Sequence, residues 1–248
     1  MLEKKHVLLF TAITVGLVIL IAGCIAPEEK PAAVISGHQD WYPAMNISGD
    51  GKNISGTGVE ATQKVLTLIG IKSSSQNVGP WDVVQEKAKT GEIDMIVALY
   101  KTKEREEYLY FSDAYMSDPI NLFMKTGKEF SYKNKEDLVG KKGVATIGDS
   151  YGQEIDDYIV QANLNIIRVS TPQEAFTLLK EEKVDYFIYS LWAGRKVINE
   201  LNISEIEESE TVSNQPFYIG VSKKSPFANR IAEINSSLKK LIANGEIK

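Results

Sequence analysis

Few side chains in this sequence of 248 residues are equipped for chemistry, and their scarcity narrows what the protein does. There are two histidines, His6 and His38, and one cysteine, Cys24. His6 falls in an apolar N-terminal segment, so His38 stands alone in the rest of the chain. That is too little for a His-based zinc site or a Ser-His-Asp set. One cysteine rules out an intramolecular disulfide and a Cys-based metal site, and no metal or cofactor is expected. A guanidinium or a helix N-terminus can recognise an anion without any of these groups. Arg105, in Lys101-Thr-Lys-Glu-Arg105, offers a planar guanidinium that pairs bidentately with a carboxylate; the alternative is a surface arginine paired with Glu104 or Glu107. Ser150 lies just before a helical pattern, whose free N–H groups and dipole favour an anion; the alternative is an ordinary N-cap.

These residues need a framework, and the hydropathy pattern supplies one. Short apolar runs alternate with helical patterns, the signature of an α/β protein. Val34–Ser36 reads as a strand, and Asn46–Ser48 and Asn53–Ser55 as a hairpin turning through Gly49-Asp50-Gly51. Helices are predicted over Gly58–Leu68 and Trp81–Thr90, the second stopped by Gly91, with a buried strand from Ile93 to Leu99. A second set follows. It has strands at Ile120–Lys125, Val144–Ile147, Val184–Tyr189 and Phe217–Val221, and helices starting near Ser150, at Thr171-Pro172, over Leu191–Leu201 and at Ser225-Pro226. Thr171-Pro-Gln-Glu174 has the form of a capping box with proline at the first helical position. Two such units with strands between them imply two lobes facing a cleft.

The N-terminus carries its own address. Lys4 and Lys5 precede an apolar run from Val7, and small residues close it at Ala22-Gly23-Cys24, which reads as an export signal. Val7 to Ile25 is also just long enough to span a bilayer uncleaved. Ile21-Ala-Gly-Cys24 resembles a lipobox, which implies cleavage after residue 23 and a lipid on Cys24. Residues 24–33, rich in proline and charge, read as a tether. The chain as a whole is of ordinary globular composition, 43% hydrophobic and 25% charged, with a net charge of −5. An acidic chain without a basic stripe argues against nucleic acid. Asn-X-Ser sequons at Asn46, Asn53, Asn202 and Asn235 are compatible with glycosylation outside the cell.

Several segments, in order, resemble the polar-amino-acid family of extracellular solute-binding proteins, which deliver ligands to ABC importers. The clearest is Gly91-Glu-Ile-Asp94 through Thr102 and Arg105, followed by Phe111-Ser112-Asp113-Ala114-Tyr115. Tyr42-Pro43, Gly56-Thr-Gly-Val-Glu60, Trp81, Asp137-Leu138, Gly148-Asp-Ser150, Val184-Asp185 and Leu241-Ile-Ala-Asn-Gly245 fall around it, so the likeness runs from about residue 34 to 248. It implies a two-lobed type II periplasmic-binding-protein fold of the Venus-flytrap kind. Residues 34–118 and 217–248 would form lobe 1 and 119–216 lobe 2, with hinges near Ser117–Leu122 and Val212–Phe217. The partners implied are a small-molecule ligand, a membrane permease and, through Cys24, the outer face of the cytoplasmic membrane.

The resemblance also places candidate ligand contacts. Arg105 falls on the position that grips a ligand carboxylate, Ser150 on the lobe-2 turn that completes that site, and Tyr42 on the aromatic that covers the ligand, though a core aromatic would look the same. Ala98, Tyr100, Asp149, Ser190 and Glu60 complete the set. Two departures bear on the ligand. Tyr100 stands where the family usually has Thr or Ser, and Ser190 where it has the aspartate that pairs an α-ammonium. Because a buried unpaired ammonium is expensive, either another carboxylate such as Glu60 or Asp149 supplies the charge or the ligand lacks the group. Gln39, where binders of basic amino acids often have Asp, weighs against such ligands. The expectation is a small carboxylate-bearing solute, a polar amino acid first and another organic acid second. The competing classes are a lyase like the cyclohexadienyl dehydratases, which share the fold, and the sensor module of a membrane receptor.

Overall fold

The computed structural model describes residues 32–247; the signal segment, Cys24 and the tether up to residue 31 lie outside the described residues. The first half of the chain builds β1 (Ala33–Ser36), β2 (Asp40–Trp41), β3 (Met45–Ile47), β4 (Ile54–Ser55), α1 (Thr57–Leu68), β5 (Ser73–Ser75), α2 (Trp81–Thr90), β6 (Met95–Leu99), α3 (Lys103–Glu106) and β7 (Leu109–Phe111). The second half continues with β8 (Met116–Lys125), β9 (Lys142–Thr146), α4 (Gln153–Gln161), β10 (Asn165–Val169), α5 (Pro172–Lys180), β11 (Tyr186–Ser190), α6 (Leu191–Glu200), β12 (Ile206–Ser222) and α7 (Ile231–Ala243).

The main sheet runs β10-β9-β11-β8-β12-β6-β1-β5, with β7 added to β12, and β2-β3-β4 form a small separate sheet. It divides naturally into two halves. On one side β9, β10 and β11 are parallel, on the other β1, β5 and β6 are parallel. Buried parallel strands read as unbroken apolar runs, and every residue of β6 (Met-Ile-Val-Ala-Leu) and of β11 (Tyr-Phe-Ile-Tyr-Ser) is buried. The halves meet through β8 and β12, two long antiparallel strands in which Ser117 pairs with Pro216, Asp118 with Gln215 and Ile120 with Ser213. β12 pairs with β8 along its N-terminal part and with β6 and β7 from Tyr218 onward. The hinge segments expected from sequence are thus hydrogen-bonded to each other.

Core packing follows from this layout. Phe123 of β8, Phe176 of α5 and Phe187 of β11 meet edge to face at 5.1–5.4 Å between Phe176 and its two neighbours. Each is fully buried, and such a side chain contributes about 1.5–3 kcal/mol by leaving water. In the other half α2 lays Trp81, Val84 and Ala88 against Ile93, Ile96, Leu99 and Leu109. α2 ends where sequence placed its end, with Gly91 left-handed at φ 86°, a conformation that glycine adopts without a Cβ penalty. At the start of α1, Gly56 has φ 126°, and a Cβ there would lie 2.5 Å from the Ala44 carbonyl oxygen. Those neighbouring carbonyls are in use: Thr57 and Gly58 donate their N–H groups to Pro43 and Ala44 at 3.0 Å.

Three sequence expectations shift. The last helix starts at Ile231, not at Ser225-Pro226, because the Ser225 hydroxyl is engaged with Asp94 at 2.6 Å and the chain first makes a 3₁₀ turn at Ala228–Arg230. α4 starts at Gln153 with Gly152 as its cap, so Ser150 stands two residues ahead of the cap. The strand at Phe217–Val221 is the end of a 17-residue strand.

Candidate functional site

Where β6 ends, the chain passes through Tyr100 into α3. The Thr102 hydroxyl accepts the Arg105 N–H at 3.2 Å, an N-cap that fixes this turn of Lys-Glu-Arg-Glu so that Arg105 alone points inward, 5% exposed. Its guanidinium donates to the Tyr100 carbonyl at 2.9 Å and to the Gly148 carbonyl at 3.4 Å, and lies 5.2 Å from the Trp81 ring centre. No ion pair to a carboxylate engages Arg105 among the described residues. The surface alternative, pairing with Glu104 or Glu107, does not occur. Burial pulls Arg105 below its ordinary value, opposed by Tyr108 and by the charges of Asp149, Asp156 and Glu104. An arginine remains a cation under such pressure, so the arrangement holds a desolvated positive charge against two carbonyls and a π face.

Facing it is the turn between β9 and α4. Gly148, at φ 77°, turns its carbonyl toward Trp81 Nε1 at 2.9 Å and toward Arg105. Asp149 follows with its side chain fully buried. One carboxylate oxygen accepts from the Thr146 hydroxyl; the other has no hydrogen bond and lies 3.3 Å from His38 Nε2. His38 Nδ1 accepts the Asp40 N–H at 2.9 Å, which leaves the ring proton on Nε2, toward Asp149. Ser150 is held by Asp156: its hydroxyl donates to that carboxylate at 2.5 Å, and the Tyr151 N–H donates to the other oxygen at 2.9 Å. Burial raises Asp156 above the usual carboxylate range, opposed by those bonds. The turn ahead of α4 is therefore already bonded to a carboxylate that the first turn of α4 supplies.

A third centre has no counterpart in the sequence expectations. Asp118, in β8, is 2% exposed. One of its oxygens accepts from Trp41 Nε1 at 2.6 Å and from the Tyr100 hydroxyl at 2.5 Å; the other accepts from the Ser190 hydroxyl at 2.9 Å. Burial pushes Asp118 above the usual carboxylate range, against the lowering effect of these three donors. The sequence offers only a weak signal, an aspartate before proline in a strand that also carries Ser117, Asn121 and Lys125.

His38, Trp41, Trp81, Tyr100 and Phe217 wall a cavity into which Arg105, Asp149, Ser150 and Ala98 also reach; it holds about 250 Å³ not filled by atoms, part of it open to solvent. Its aromatic walls support one another, Trp41 meeting His38 edge-on at 5.1 Å and Tyr100 stacking on Phe217 at 5.1 Å. Five of the eight expected ligand contacts, Arg105, Ser150, Tyr100, Ala98 and Asp149, are thus brought together. Ser190 is buried behind the cavity, bonded to Asp118. Tyr42 and Glu60 are elsewhere. β2 ends at Trp41, which is buried, and Tyr42 lies in the turn that follows, 44% exposed; Glu60 sits on the outer face of α1, beside Gln63, Lys64 and Leu241. Gln39 is occupied with Asn77 at 2.6 Å. Among the described residues no group of acidic, histidine or cysteine side chains could hold a metal ion, and no helix is long and apolar enough to cross a membrane.

The profile of the bacterial extracellular solute-binding proteins, family 3, matches residues 34–248. The L-cystine-binding protein TcyJ of Escherichia coli (strain K12) is 21% identical over 230 residues, covering 91% of this chain and 84% of the relative. Among solved structures, a histidine kinase sensor domain with similarity to periplasmic binding proteins superposes with a TM-score of 0.74 at 20% identity, over 87% of this chain and 92% of that one. Holo ArgBP from T. maritima gives 0.69 at 23% identity, over 85% and 90%. The GluR0 ligand-binding core in complex with L-glutamate gives 0.71 at 17%, over 88% and 95%. The fold is that of the two-lobed binding proteins, with β8 and β12 as the joining strands.

Proposed function

We propose that this chain, which belongs to family 3 of the bacterial extracellular solute-binding proteins, captures a small carboxylate-bearing solute between two lobes and hands it to an ABC importer. The observation that carries the reading is Arg105: a cation 5% exposed, aimed at a cavity, held by carbonyls and an aromatic face rather than by a carboxylate. A buried charge without a counter-charge is costly to a fold, and a ligand carboxylate meeting both guanidinium arms supplies what the protein does not. Residues 34–118 with 217–248 form the first lobe and 119–216 the second, so that Arg105 and Asp149 approach the solute from opposite lobes. Closure is then a hinge motion in β8 and β12.

A polar amino acid is the solute class put forward, in keeping with the relatives named for L-cystine, arginine and glutamate. The protein acts outside the cytoplasm, fixed to the membrane by lipid on Cys24, and as a binder rather than an enzyme. His38 Nδ1 is taken by the Asp40 N–H, and its Nε2 lies 3.3 Å from Asp149 rather than at the centre of the cavity. Thermal-shift screening of amino acids and small organic acids tests the reading. A true ligand at 100 times its Kd adds about 2.7 kcal/mol, about 5–10 °C in Tm for a domain of this size. A panel that shifts nothing refutes it.

A further inference from the structure

Asp118 does not line the cavity, yet two of the cavity's walls are fastened to it. Trp41 comes from β2, Tyr100 from the end of β6 and Ser190 from the end of β11, the strand next to β8; Trp41 already packs edge-on against Tyr100 at 5.8 Å and against Tyr189 of β11 at 5.0 Å, and all three polar groups donate to one carboxylate in the strand that joins the halves. The carboxylate itself is placed by the ladder, because Asp118 pairs with Gln215 of β12 between the Ser117–Pro216 and Pro119–Asn214 pairs. An indole N–H can only donate, and Trp41 is 5% exposed, Tyr100 3% and Ser190 fully buried. Water therefore does not substitute for Asp118, and an indole or phenol left without its acceptor there carries a desolvation penalty.

We propose that Asp118 is the positioning residue of the cleft: as a shared acceptor it sets the orientation of Trp41 and Tyr100 and couples both to Ser190 across the two halves of the sheet. The chemistry distinguishes this from a direct ligand contact. One oxygen is taken by the indole and the phenol and the other by the serine, so the carboxylate's bonding is completed inside the protein. Ser190 also accepts the Ala193 N–H at 3.4 Å as the cap of α6, and the aromatic walls are thereby connected to a helix terminus in the opposite half. That the walls belong to a solute site rests on the function proposed above; the coupling itself does not.

The test follows the Trp41 indole N–H in the ligand-free protein by two-dimensional NMR, with Trp41→Phe assigning the signal. In Asp118→Ala the signal should move upfield and exchange with solvent at least tenfold faster than in the parent. In Asp118→Asn it should remain protected. The amide oxygen can accept from both aromatics, and the amide N–H₂ can donate to the Ser190 hydroxyl, which is free to reverse. An unchanged signal in Asp118→Ala overturns the proposal, and so does a loss in Asp118→Asn equal to that in Asp118→Ala. Should Asp118→Ala not fold, the cycle of Trp41→Phe with Ser190→Ala carries the same question. The unfolding constant of the double variant should differ at least threefold from the product expected of the singles, and independence of the two overturns the coupling. Because no solute enters either measurement, a failed ligand screen would refute the proposed function and leave this result standing.

Discussion

Arg105 and Asp118 are buried to nearly the same degree, 5% and 2% exposed, and they bear opposite charges within one small region, but the protein treats them differently. Asp118 receives three side-chain donors and has both oxygens occupied. Arg105 receives no carboxylate; two carbonyls and the face of Trp81 are its partners. A buried charge whose partners are all fixed by the fold belongs to the scaffold, whereas one left short of a counter-charge beside a cavity is set up for recognition. Asp149 lies between these cases, with one oxygen bonded to Thr146 and the other facing His38 without a hydrogen bond.

The largest effect that would break this contrast is expected at Arg105. Arg105→Ala should weaken binding of the best ligand from the thermal-shift panel by about 30-fold to several thousandfold, the range corresponding to about 2–5 kcal/mol for one partner of a buried charge pair. Arg105→Lys should fall between, since a point charge cannot reproduce two parallel bonds. Titration calorimetry giving the parent affinity for Arg105→Ala would make Arg105 a scaffold residue like Asp118.

The opposite arm of the contrast is tested where no charge is involved. Gly194 of α6 packs directly on Phe123 of β8, and a Cβ added there would overlap that ring. Gly194→Ala should cost about 1–3 kcal/mol of stability through overpacking and shift the helix whose cap, Ser190, is bonded to Asp118. Urea unfolding reads the loss. A variant as stable as the parent would mean that the α6–β8 contact yields easily and is no support for the Asp118 network.

These two sites also differ in how far they were legible. Arg105 stands in a dense local pattern, with Thr102 capping its turn and Gly91 and Asp94 upstream, and local patterns survive in sequence. α2 was read to the residue for the same reason, since Gly91 stops it and its apolar residues recur at helical spacing. Asp118 acquires its role from Trp41, Tyr100 and Ser190, separated from it by 77, 18 and 72 positions, and no spacing rule reports such a meeting. β5 was invisible because Ser73-Ser74-Ser75 lacks β-propensity and forms only as an edge paired with β1. The first half of β12 carries no strand signal because Glu207 to Thr211 is an unbroken polar run without period-2 alternation, and two register shifts interrupt its ladder. Motif position points to Tyr42, but that residue falls in the turn after β2, and the neighbouring Trp41, the last residue of the strand, is the aromatic that walls the cavity.

A pH measurement sharpens the distinction further. Burial raises Asp118 in the folded protein above its ordinary value of 3.8, so between that value and the raised one the folded state binds more protons than the unfolded. Stability then falls as pH rises through the window, and the full penalty of the ionised, buried carboxylate is present above it. Asp118→Asn removes this contribution while keeping the hydrogen bonds, so its stability relative to the parent should be more favourable at pH 7 than at pH 4. Asp156, also raised by burial, is common to both proteins and cancels. Urea unfolding at the two pH values gives the difference directly. A relative stability that is equal at both would show that Asp118 titrates alike in the folded and unfolded chain.

The smallest effect belongs to Glu60, the carboxylate that sequence offered as an ammonium partner and that the fold places on the exposed side of α1. Its neighbours are Gln63, Lys64 and Leu241, and the cavity walls do not include it. In the first turn of the helix its charge interacts favourably with the N-terminal dipole, so Glu60→Gln should lower stability by at most about 0.3–1 kcal/mol. Ligand affinity should change less than about twofold, as for surface substitutions away from a site. Those two numbers separate on the same sample, one by thermal unfolding and one by calorimetry. A loss of affinity with no loss of stability would bring Glu60 into the site on closure, and would transfer to it the counter-charge role for which Asp149 is otherwise the carboxylate best placed.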